Sequence, residues 1–289
     1  ARIVVSREGY CNVDCEISGI GRLIEFGKKI AMEPVEGAVV TDTDGDGVAD
    51  ADEDPEFVND PTAAKAVSGV YTLAFEDNYP YRGDADFNDL VVRLSIREII
   101  DGQNRVRRIE LKTKLLASGA GYTNKFAINI LGTRYLLIAD PKADGDYTLG
   151  DNWNSEPHFA YHECDEYTHP TIVFSEGVER SALGPMPYDP FIICDGVEVN
   201  QVHLPSAKTD FAGIVKDSEG FTWAVIVPED WAWPYENTEG LHWHGFILYA
   251  AHPNSIFKAY PEFDDWYQSG GTISADWYLK PDTKYTFDK

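Results

Sequence analysis

Between Leu90 and Ile96 the side chains alternate, with Leu90, Val92, Leu94 and Ile96 on one side of an extended backbone and Arg93 and Ser95 on the other. A period of two suits a half-covered strand and leaves no apolar stripe for a helix. Ile109, Leu111, Thr113 and Leu115 repeat the pattern against Glu110, Lys112 and Lys114, and Phe126, Ile128 and Ile130 repeat it again. Shorter runs at 70–75, 171–174, 191–194, 223–227 and 246–250 are bounded by Gly, Pro, Asn or Asp. Many short strands between turns specify an all-β chain of β-sandwich or jelly-roll type, as one large or two packed sandwiches. The 289 residues and the 43% hydrophobic content are enough for such a core.

Acidic residues number 49 against 24 basic ones, a formal charge of -25. Phosphate backbones and anionic membrane surfaces are repelled by such a chain, which argues against a nucleic-acid partner. Crowded carboxylates also repel one another, and divalent cations relieve that repulsion. No stretch is long and apolar enough to cross a bilayer. The chain opens straight into Ile3, Val4 and Val5 with no basic, apolar leader, and so reads as an already processed form.

The acidity concentrates between Asp42 and Asp60, where Asp42 to Glu53 reads D-T-D-G-D-G-V-A-D-A-D-E. Asp42, Asp44, Asp46, Asp50 and Glu53 occupy positions 1, 3, 5, 9 and 12 of an EF-hand loop, with Gly47 at the sharp turn of position 6. The Val48 carbonyl, at position 7, completes an oxygen shell for Ca2+. Pro55 and Pro61 follow in place of an amphipathic exiting helix, so the expectation is a solitary structural loop, as in thrombospondin type 3 or dockerin repeats. The stretch divides residues 1–66, an N-terminal strand and calcium loop, from a β-sandwich over 67–289.

A second cluster precedes the strand at Leu90. Asp84, Asp86 and Asn88 alternate, which lets their oxygens share a side while Phe87 turns to the core. Asp77, at the end of the preceding strand, and Asp89 would complete this second calcium site. A weaker third group is Asp144, Asp146 and Asp151.

The run Leu73-Ala74-Phe75-Glu76-Asp77 followed by Gly83-Asp84-Ala85-Asp86-Phe87-Asn88-Asp89-Leu90-Val91-Val92 resembles the signature of bacterial LruC-type domains. So do residues 117–122, Ala259-Tyr260-Pro261-Glu262-Phe263, Trp266, Ser269-Gly270-Gly271 and Asp276-Trp277-Tyr278. The resemblance runs from about Val67 to the C-terminus. It implies an exported, β-rich bacterial surface or matrix protein, and it brings no catalytic residues.

Patterns for an enzyme fail. Gly19-Ile20-Gly21 is followed by Ile24 where a dinucleotide loop needs its third glycine, and no nucleophile elbow or Walker loop occurs. His162-Glu163-Cys164-Asp165-Glu166 lacks the second histidine of a zincin. His242 and His244, flanking Trp243, share a strand face and are read as ordinary histidines. Cys11, Cys15, Cys164 and Cys194 make an even count without a C-x-x-C pair, which points to two disulfides, Cys11 with Cys15 and Cys164 with Cys194, in an oxidising compartment. The expectation is an extracellular, calcium-stabilised structural protein assembling head to tail, with the strand from Ala1 to Ser6 donated to the next subunit. The alternative is a monomeric adhesive or carbohydrate-binding module with Trp231, Trp233 and Tyr235 as its aromatic platform.

Overall fold

The computed structural model describes residues 2–5, 13–16, 41–79, 84–141, 153–155, 161–205, 221–227, 230–235 and 256–287. The chain divides into two compact units, residues 1–66 with 100–104 and residues 67–99 with 105–289. In the first unit β1 (Arg2–Val5) pairs antiparallel with β2 (Val13–Glu16), Arg2 opposite Glu16 and Val5 opposite Val13. The N-terminal strand thus has a partner within its own chain, and among the described residues these two strands pair only with each other.

The second unit is built on two antiparallel sheets. Its strands are β3 (Lys65–Phe75), β4 (Leu90–Ile100), β5 (Arg105–Ala117), β6 (Lys125–Ile130), β7 (Thr133–Ile138), β8 (Tyr167–Thr168), β9 (Ile172–Glu179), β10 (Asp189–Ile193), β11 (Gln201–His203) and β12 (Ala224–Val227). One sheet runs β12-β3-β4-β5, with β8 and β9 sharing the outer edge of β5. The other runs β11-β10-β6-β7. Among the described residues the α-helices are short: α1 (Arg180–Leu183), α2 (Ile256–Ala259) and α3 (Phe263–Gln268). The β-sandwich expectation is met. Among the described residues no helix is long and apolar enough to cross a membrane.

Alternation does what the sequence requires of it. Leu90, Val92, Leu94 and Ile96 are buried, as are Ile109, Leu111, Thr113 and Leu115, while Arg93, Ser95 and Arg97 stay half-exposed. Phe75 of β3 meets Phe126 of β6 at 6.1 Å, which joins the two sheets through their inner faces. At one end the pattern breaks: Ala74, Val91 and Leu116, on the other face, are also buried. Phe221, Trp231, Trp233, Tyr260, Phe263, Trp277 and Phe287 cover them. Phe87 sits within this second layer, 6.0 Å from Phe221 and 6.3 Å from Phe263. Truncating a buried phenylalanine of this kind costs about 3–5 kcal/mol.

Two expectations are corrected here. Trp231 and Trp233 are 2% and 0% exposed, so they form core and offer no platform to a sugar. Cys164 and Cys194 remain thiols. Cys194 is buried where β10 of the four-stranded sheet ends, whereas Cys164 lies in the irregular segment that leads into β8, on the edge of the other sheet. Flanking strands were the sequence signal for that pairing, and the strands belong to different sheets. The Cys11–Cys15 pairing, the run at 246–250, His242 and His244, Gly19 to Ile24, and Asp144, Asp146 and Asp151 lie outside the described residues.

Candidate metal centre

Backbone geometry turns the Asp42–Glu53 loop in on itself. Gly45 and Gly47 have φ of +76° and +91°, a region that only glycine adopts without strain. Asp42 accepts the N–H groups of both, at 2.8 Å on Oδ1 and 3.1 Å on Oδ2. Asp44 accepts from the Asp46 N–H at 3.2 Å, and Asp46 from the Val48 N–H at 2.7 Å. Carboxylate oxygens of Asp42, Asp44 and Asp46 lie within 4.8 Å of one another. Asp50 opens a single 3-10 turn, Asp50–Asp52, and the chain then returns through Asp54, whose N–H donates to the Ala64 carbonyl.

Glu53 closes the loop. It is 8% exposed, and both its carboxylate oxygens are buried without a hydrogen-bond partner; Oδ2 of Asp44 shares that condition. Burial holds the Glu53 carboxyl above its ordinary value, and the charges of Asp44, Asp46, Asp50 and Asp42 raise it further. A buried carboxylate facing four others without a donor is costly as it stands. An oxygen-seeking cation would satisfy the Glu53 oxygens and Oδ2 of Asp44 together.

The second cluster is assembled differently from its sequence reading. Glu76, Asp84 and Asp86 each bring an oxygen to within 4.8 Å of the others. Glu76 also accepts the N–H of Phe87 at 2.7 Å and of Ala85 at 3.1 Å, and both donors sit at positive φ, +55° and +62°. Burial pushes the Glu76 carboxyl well above the usual range, and the Asp84 charge adds to this against the two N–H donors.

Asp77 turns to the opposite side. Its Oδ2 accepts from Asn124 at 2.6 Å, and its N–H donates to Asp89 at 2.8 Å. Burial raises the Asp77 carboxyl to about 6. Asn88 donates from Nδ2 to the Pro234 carbonyl and accepts the Gly119 N–H on its own carbonyl at 2.9 Å, while its Oδ1 is buried without a hydrogen-bond partner. A side chain at Gly119 would strike Asn88, which accounts for a glycine there.

Glu76 is the group that sequence reasoning missed. Ala74 shares the layer of Phe87 while Phe75 faces Phe126, so period two carries Glu76 to the Phe87 side and Asp77 to the Asn124 side. That alternation was the signal available.

Comparisons with known proteins bear on the fold. Residues 150–278 match a family model described as a domain of unknown function, DUF4842. The structure is similar to a crystal structure described as "a Putative lipoprotein from Bacteroides ovatus", with a TM-score of 0.51 and 15% identity over 77% of this chain and 76% of that one. At that identity the likeness is one of fold. No curated protein matches.

Proposed function

We propose that this chain is a calcium-stabilised structural protein of the bacterial cell surface or matrix, and not an enzyme. The observation that carries the reading is Glu53, buried beside four aspartates with neither oxygen hydrogen-bonded. Side chains of Asp42, Asp44, Asp46 and Glu53 with the Val48 carbonyl would hold Ca2+, and Asp50 would act from the rim. The ion supplies positive charge and oxygen coordination; the chain supplies a loop already turned by Gly45 and Gly47. The Glu76, Asp84 and Asp86 cluster would take a second ion under the same reading.

A surface location is supported by the shared fold with a protein described as a lipoprotein and by the acidic charge of -25, which suits a calcium-rich exterior. Self-association through the N-terminal segment belongs to the same proposal. A two-stranded ribbon is marginal in water, so an additional strand from a second copy on the β1–β2 edge would strengthen it.

Calorimetric titration of the metal-free chain with calcium tests the reading, with electron microscopy before and after addition. Saturable binding that raises the melting temperature supports it. A ligand present at a hundredfold excess over Kd adds about 2.7 kcal/mol to stability. No binding, and a melting curve unchanged by EGTA, would remove the calcium reading; particles that stay monomeric at every calcium level would remove the assembly.

A further inference from the structure

The turn between β4 and β5, Asp101-Gly102-Gln103-Asn104, lies against the cation loop within the first unit. A Cβ at Gly102 would stand 2.5 Å from Cγ2 of Val48 and 3.4 Å from Oδ2 of Asp46. Gly102 does not have a positive φ, so alanine is opposed there by contact and not by backbone conformation.

Neither side of this contact is loose. Asn104, at φ +62°, donates its N–H to the Asp101 carbonyl at 2.9 Å, and Asp101 Oδ1 accepts from the Gln103 N–H at 2.9 Å. Lys65 Nζ donates to Asn104 Oδ1 at 3.1 Å, and the Ala64 N–H donates to the Ile100 carbonyl at 2.8 Å. On the loop side the Val48 N–H donates to Asp46. Val48 is β-branched and restricted at χ1, so pressure on its methyl is passed on to the backbone.

Resting on the calcium reading above, we infer that Gly102 is a positioning residue for the cation: its missing side chain lets the β4–β5 turn buttress Val48, and so fixes the Val48 carbonyl and the Asp46 carboxylate that face the ion. Calcium occupancy and the seating of that turn are then one equilibrium. By linkage, whatever shifts the turn shifts calcium affinity, and calcium steadies the turn.

The test is calorimetric titration of the full chain with calcium chloride in four forms: native, Gly102→Ala, Val48→Ala, and the two substitutions together. The coordinating group of Val48 is its carbonyl, which Val48→Ala retains. Overpacking at Gly102 should weaken binding by about tenfold. Val48→Ala alone leaves the turn without its contact and should also weaken binding by about tenfold, whereas in the double variant the methyl introduced at position 102 takes up the vacated space and returns affinity to within about threefold of native. Native-like affinity in Gly102→Ala, or a double variant as weak as Gly102→Ala, overturns the inference while leaving the calcium reading intact. A native chain that binds no calcium overturns the calcium reading itself, and the inference with it.

Discussion

Both carboxylate oxygens of Asp50 are taken by Thr43, whose N–H donates to Oδ1 at 2.7 Å and whose hydroxyl donates to Oδ2 at 2.8 Å. The Asp50 carboxylate braces the loop across its open side, whereas the Glu53 oxygens have no such engagement. Glu53→Gln should therefore weaken calcium binding more than Asp50→Asn does. Loss of a charged, buried contact is worth about 2 kcal/mol, roughly thirtyfold in affinity. Calorimetric titration of both variants decides it, and equal losses would place Asp50 on the ion.

The two described thiols should differ in reactivity. Cys194 is 2% exposed, and burial, with the charges of Asp77 and Asp89 beside it, pushes its thiol well above the ordinary value. Cys164 is half-exposed. Iodoacetamide followed by peptide mass mapping should label Cys164 in the native chain and Cys194 only after denaturation. Recovery of a Cys164–Cys194 disulfide would contradict the structure.

What could be read in advance follows the range of the interaction. The Asp42–Glu53 loop was legible because every proposed ligand lies within twelve residues, so spacing alone carries the geometry. Leu90 and Val92 were legible as one buried face for the same reason. Val91 is equally buried, but only because Trp231, Phe263 and their neighbours return over the outer face. No local pattern around Val91 announces a cover that arrives so much later in the chain. The cysteine pairing and the strand order β12-β3 fail to show locally for the same reason. Glu76 was within reach, since alternation along β3 separates it from Asp77.

His169 sets a pH dependence of known sign. It is 8% exposed, its Nε2 lies 2.8 Å from the Thr113 hydroxyl, and burial lowers its pKa below 6.5. The unfolded chain then binds the proton more readily than the native one. Its contribution to stability is present above pH 6.5 and is lost as pH falls through the lowered native value, at up to about 1.4 kcal/mol per pH unit. Buried carboxylates with raised pKa act in the opposite direction, so the comparison must be between native and His169→Gln. Urea unfolding at several pH values should show a steeper loss on acidification in the native chain, and parallel curves would remove His169 as a source.

Glu98 of β4 is 0% exposed and is held from two sides, by Arg180 Nε on Oε2 at 2.6 Å and by the Tyr188 hydroxyl on Oε1 at 2.7 Å. These contacts tie α1 and the turn before β10 to the centre of the larger sheet. Arg180 is 44% exposed, so solvent screens its charge and its worth rests mainly on sparing Glu98 an unpaired burial. Arg180→Ala should cost about 2 kcal/mol, and Tyr188→Phe about 1 kcal/mol, in urea unfolding. The two losses share one acceptor group and should not add; a double-mutant cycle should show a coupling of at least about 0.5 kcal/mol. The decisive variant is Glu98→Gln. In the native background it removes a paired charge and destabilises, while in the Arg180→Ala background it removes an unpaired one and should recover part of the loss. If Glu98→Gln destabilises both backgrounds equally, the ion pair is not what Arg180 contributes, and packing of its side chain stem over the sheet carries its effect instead.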